Sequence, residues 1–291
     1  MSLNQSVKQW ILNNLNYFDW TKNENYDERY FKAFVELIYL YLPNIIDDTN
    51  FVPDNLDVEI LNFLDDLCKK FDLEAFVRFD YFLMNALLII ECYKKYRLNI
   101  ETIILNSQFK LLHLEERIPF RDMDIDATVE LINFKENMPP KKLLRLDYER
   151  VLLSKEFPLY SLNFMEMYSI THTIFYLTLL GLQNAEKVIS KTEVKRISNV
   201  IQKLIVITTK NGNYDMFLEL LLCIKYLKIN VSDEINSIIE YTLTEQEIYY
   251  NSNKVIAPLK SLNLSEEGSE EYFFECYHTM LLKMAVCRIW K

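Results

Sequence analysis

A chain of 291 residues, half of them apolar, can bury a sizeable core, yet its three glycines are too few for a fold built on tight hairpins or phosphate-cradling loops. Acidic residues outnumber basic ones by 42 to 32, for a formal net charge of −10. No basic stripe exceeds a pair such as Lys141 and Lys142, which argues against binding nucleic acid by phosphate neutralisation.

Helical periodicity runs through the chain as an alternation of segments with one polar face and segments apolar nearly all round. The polar-faced "NQSVKQWILNNLNYF" precedes the apolar "ERYFKAFVELIYLYL" (28–42). "DNLDVEILNFLDDLCKKF" precedes "RFDYFLMNALLIIECYKKY" (78–96), and "IETIILNSQFKLLHL" precedes "FRDMDIDATVELINF" (120–134), the most polar of the apolar set. "LDYERVLLSKE" is followed by "NFMEMYSITHTIFYLTLL" (163–180). "NAEKVISKTEVKRISNVIQKLIVI" is followed by "YDMFLELLLCIKYLK" (214–228), and "SDEINSIIEYTLTEQEIYY" by "EEYFFECYHTMLLKMAVCRIW" (270–290). All seven prolines are expected between helices, and Asp54, Ser232 and Ser269 are placed to cap helix starts.

Six pairs, each an outer amphipathic helix and an inner apolar one, predict a single all-α domain over residues 1–291. The arrangement expected is an (α/α)6 toroid of about six helical hairpins; the alternative is an open α-solenoid. Closure is favoured because the last helix is among the most apolar, whereas the end repeat of a solenoid needs a polar outer face. Each apolar run is broken before the about 18 residues a membrane span requires, and the first residues lack a signal-peptide core, so a soluble cytoplasmic protein without membrane insertion is expected. Cys68, Cys92, Cys223, Cys276 and Cys287 form no CxxC pair and read as small core residues in a reducing compartment.

Two of the three histidines interrupt apolar runs, each followed by threonine: His172–Thr173 and His278–Thr279. In a toroid, polar groups on inner helices either bond a neighbouring helix or face a central cavity. Asp215 and Glu219 share a face at a spacing of four, as do Glu271, Glu275 and His278 at four and three. His172, His278, Asp215 and Glu219 are the candidate catalytic groups, acting as acid and base; His172, Asp215 and His278 are the alternative ligand set for a divalent metal such as zinc. Arg117 and Arg121, followed by Asp122, Asp124 and Asp126, read first as a capped helix start with local ion pairs; the functional alternative is that Arg121 or Arg117 binds an anionic group at the cavity mouth. His113 reads as a solvated helix-end residue.

"THTIFYLTLLG", "YDMFLELLLCIKYL" and "CYHTMLLKMA", with "RIPFRDMDIDATVEL" upstream, resemble the motif blocks of an uncharacterised bacterial family of helical proteins. That resemblance points to His172, Asp215, Glu219 and His278 and implies no reaction. Leu179 and Leu180 stand where the family pattern has an acidic ending. "CYHTMLLKMAV" is also similar to a helix of protein prenyltransferase β subunits, (α/α)6 toroids whose histidine binds zinc; His278 would match that ligand and Asp215 the aspartate, but Phe217 occupies the cysteine position. The expectation is an enzyme acting on a small organic or peptide-derived substrate in a central cavity, by His/carboxylate acid–base or metal-assisted chemistry. The alternative is a non-catalytic module whose inner surface binds a peptide or protein.

Overall fold

The computed structural model describes residues 3–22, 27–47, 51–71, 81–98, 119–134, 142–245 and 268–289. Among them are eleven α-helices and no strand. They are α1 (Leu3–Asn13), α2 (Glu28–Ile46), α3 (Asn55–Lys69), α4 (Tyr81–Leu98), α5 (Pro119–Asn133), α6 (Lys142–Arg150), α7 (Phe164–Leu177), α8 (Lys191–Asn211), α9 (Tyr214–Tyr226), α10 (Asp233–Glu245) and α11 (Glu270–Ile289). The segment read as a third polar-faced helix, which includes His113, lies outside the described residues, as does Arg117 after it.

The apolar helices pack on one another in chain order: α2 on α4, α4 on α5, α5 on α7, α7 on α9, α9 on α11, and α11 on α2. The amphipathic helices lie against them, with α1 on α11 and α3, α3 also on α4, α6 on α5, and α8 on α9 and α10. Burial follows the sequence pattern. In α8 only one stripe is covered, at Ile197, Ile201, Leu204, Ile205 and Thr208, the spacing of a helix with one wet face. In α9 every residue from Met216 to Ile224 is buried, as a helix surrounded by others requires.

Local chemistry sets the boundaries. Asp54 and Asp57 form a reciprocal capping box at the start of α3, and Asn163 and Glu166 do the same for α7. The stretch read as one helix from 184 to 207 is two pieces, a 3₁₀ turn at Ala185–Lys187 and then α8, because the Ser190 side chain accepts from the Glu193 amide and starts a new helix. Gly212, with φ of 67°, ends α8 in the left-handed conformation. Pro43 is not between helices: α2 continues through it to Ile46. The continuation keeps Leu42, Ile45 and Ile46 in the core, and that burial offsets the backbone hydrogen bond a proline removes.

A buried polar cluster fastens both ends of the described chain to the same place. Asp57 accepts from Lys8 Nζ at 2.6 Å, from the Tyr41 hydroxyl at 2.9 Å and from Arg288 Nη2 at 3.0 Å. It thereby joins α1, α2, α3 and α11. The Arg288 guanidinium also lies 4.4 Å from the centre of the Tyr41 ring, so the cation is paired and stacked together.

Candidate functional site

All six apolar helices contribute side chains to one cavity of about 370 Å³. Glu36 and Tyr39 come from α2, Asn85 from α4, Arg121 and Asp124 from α5, Tyr168 and His172 from α7, Glu219 and Tyr226 from α9, and His278 from α11. Glu219 and His278, on neighbouring helices, meet there because α9 and α11 pack along their lengths.

Asp215 sits one turn before Glu219 on α9 and is gripped by two consecutive residues of α11. His278 Nδ1 lies 2.9 Å from its Oδ2, and the Thr279 hydroxyl donates to its Oδ1 at 2.7 Å. Burial opposes the charge on His278, but Asp215, Glu36 and Glu219 outweigh it and raise the pKa from 6.5 to about 10. Burial likewise opposes the charge on Asp215, and the His278 imidazolium with its hydrogen bonds overcomes it, holding the carboxyl below its ordinary range. At neutral pH the two form an ion pair.

His278 Nε2 is 3.9 Å from Glu219 Oε1. The other oxygen of Glu219 accepts from the Thr171 hydroxyl of α7 and lies 3.7 Å from His172 Nδ1. Only 1% of the Glu219 side chain is exposed, and desolvation raises its pKa from 4.5 to about 7. His172 is the opposite of His278. Desolvation, with the nearby charge of His278, lowers its pKa to about 3, so it is neutral. Its Nδ1 stands 3.1 Å from the Tyr168 carbonyl oxygen. A carbonyl only accepts, so Nδ1 carries the proton and Nε2 the lone pair. The Tyr168 ring stacks on the imidazole at 3.6 Å between centres and fixes its plane.

His172, Asp215, Glu219 and His278 are thus brought together, each in a different electrostatic state. Asp215, Glu219 and His278 each offer a ligand atom within 4.8 Å of the others, a grouping among the described residues that can hold a metal ion. His172 meets that group through Glu219, with its Nδ1 turned to the Tyr168 carbonyl rather than to Asp215. Glu271 and Glu275 do not join: both are exposed, and Glu271 pairs with Arg29 at 3.2 Å on the surface. Thr173 bonds the Ser169 carbonyl of its own helix. Arg121 lines the cavity and reaches Asp124 at 3.4 Å.

Sequence reasoning missed Thr171, Tyr168 and Glu36. Thr171 directly precedes His172, and Glu36 is the one carboxylate in the interior of the long apolar run of α2; an acid in such a run was the one signal available. It also missed the turn after α7, where Leu179, Leu180 and Gly181 have φ of 46°, 58° and 89°. Left-handed backbone is costly for leucine, yet both leucines are buried and Leu180 lines the cavity.

The chain is therefore an all-helical protein with one polar cluster in a cavity to which all its apolar helices contribute. A family model described as a domain of unknown function, DUF6895, matches residues 4–288, and the chain belongs to that family. No curated protein and no solved structure matches it significantly.

Proposed function

We propose that the protein is an acid–base enzyme that holds a small organic or peptide-derived substrate at the centre of a closed (α/α)6 toroid. The packing of α11 back onto α2 supports closure, as does a cavity fed by six helices. The observation that carries the catalytic reading is the meeting of Glu219 with His172, Asp215 and His278 inside that cavity.

Glu219, with a pKa near neutrality, gives or takes the proton, because a group poised near the working pH transfers protons most effectively. The His278 imidazolium, kept charged by Asp215, stabilises negative charge that develops on the substrate or on Glu219 itself. His172 presents its Nε2 lone pair as a hydrogen-bond acceptor that orients the reacting group. Five free thiols, four of them buried, suit a reducing cytoplasm.

The test is incubation of wild-type protein and Glu219→Gln with a cellular metabolite and peptide extract, followed by mass spectrometry. A compound consumed by the wild type and left intact by the variant is expected. A compound or peptide retained by both and converted by neither would instead make the protein a binding module. The grouping of Asp215, Glu219 and His278 supports a second, metal-assisted version. Stoichiometric zinc, iron or manganese in the wild-type protein, lost in His278→Ala, would select it.

A further inference from the structure

We infer that the ligand of this cavity carries a cationic amine, bound by Asp124. The inference rests on the same cavity as the enzyme reading but not on the chemistry assigned to Glu219. Asp124 is 3% exposed and lines the cavity from α5. Its Oδ2 takes one long contact from Arg121, and its Oδ1 has no hydrogen-bond partner among the described residues. Burial raises the Asp124 carboxyl to about 6 against the opposing pull of Tyr176, Arg121 and Asn85, so it is charged at neutral pH, and neither Tyr176 nor Asn85 closes a hydrogen bond on Oδ1. A buried acceptor left open is costly, and in a cavity the missing donor is most simply supplied by what binds there.

Three further observations give that donor a positive charge. Glu36, on α2, lines the same cavity and has a second carboxylate oxygen, Oε2, without a hydrogen-bond partner among the described residues. With His278 already balanced by Asp215, the carboxylates of Glu28, Glu36 and Asp124 face only Lys32 and Arg121. The remaining walls include the rings of Tyr39, Tyr168 and Tyr176, whose faces attract an ammonium group. An amine held at Asp124 leaves the rest of the ligand to extend toward His172 and Glu219.

The test is calorimetric titration of the full chain at neutral pH with three probes of one shape and different head groups: 2-phenylethylammonium, 2-phenylethanol and 3-phenylpropanoate. The ammonium is expected to bind about tenfold or more tightly than the alcohol, with the carboxylate weakest, since a charge-assisted hydrogen bond in a buried site is worth at least that factor. Asp124→Asn should abolish the preference, and Glu271→Gln, on the surface beside Arg29, should keep it. Equal or tighter binding of the alcohol or carboxylate, or no millimolar binding of any probe, overturns the inference. The wild-type comparison decides the matter even if Asp124→Asn does not fold. Ammonium binding without any turnover in the extract experiment would leave this inference standing and remove the enzyme reading.

Discussion

Replacing Asp215 by Asn keeps the side-chain shape and its acceptor toward Thr279 while removing the charge 2.9 Å from His278 Nδ1. Asp215 is the largest contribution raising His278 to about 10, so the variant should bring that value down by about two units or more, as burial then acts against weaker opposition. The His278 side chain retains 29% of its exposure, so water in the cavity screens the pair, and we set the loss of stability at neutral pH at about 2 kcal/mol. The sign follows from the raised folded-state pKa. The stabilisation is fully present below the unfolded value of 6.5 and is lost as pH rises through about 10. The gap in stability between wild type and Asp215→Asn should therefore close across that window. It should also close in strong acid, where the lowered pKa of Asp215 is finally crossed. Long-range ¹H–¹⁵N correlation of the imidazoles is a direct assay, since the chain has only three histidines. A wild-type His278 that titrates at or below the ordinary histidine value, or one whose titration is unmoved in the variant, would refute the assignment of an ion pair.

Glu219→Gln should stabilise the fold by about 1 to 3 kcal/mol at mildly alkaline pH and by nearly nothing at pH 4, because the raised folded pKa makes ionised Glu219 a burden that appears as pH climbs from 4.5 through about 7; urea melts at the two pH values check it, and equal stability at both would count against a desolvated carboxyl. Gly181→Ala should cost about 2 to 4 kcal/mol, since the residue has φ of 89° and an added Cβ would lie 2.6 Å from Tyr226 Cδ1; a thermal melt within experimental error of wild type would show that the turn after α7 relaxes freely.

Periodicity reveals the helices because burial acts on whole faces, and α8 with its single stripe and α9 with its unbroken burial are both visible in hydropathy alone. The boundary at Ser190 is less visible, since a serine inside an amphipathic stretch caps a helix only when the chain before it turns away. Pro43 misleads for a similar reason: local backbone preference says stop, and the core contacts of Ile45 and Ile46 say continue. At the site, histidines in apolar runs are legible because burying imidazole without a partner is unfavourable, and a spacing of four puts Asp215 and Glu219 on one face. The opposite protonation states of His172 and His278 are not legible. They depend on which helix brings a carboxylate to which ring, and that is a property of packing across 63 residues of sequence between Asp215 and His278.

The contact between α11 and α2 also has a meaning for biosynthesis. Arg29 and Glu271, which pair across it, are 242 residues apart, and Asp57 waits 231 residues for Arg288. At ribosomal speeds of about 5 to 20 residues per second, α2 spends on the order of 10 to 50 s with an apolar flank that its last neighbour has yet to cover. Throughout that interval the nascent chain lacks His278, and for its last part, the 63 residues from Asp215 to His278, the carboxylate stands without its imidazolium. The nascent chain thus carries an uncovered apolar flank on the ribosome, and the charged centre is assembled only by the step that covers it.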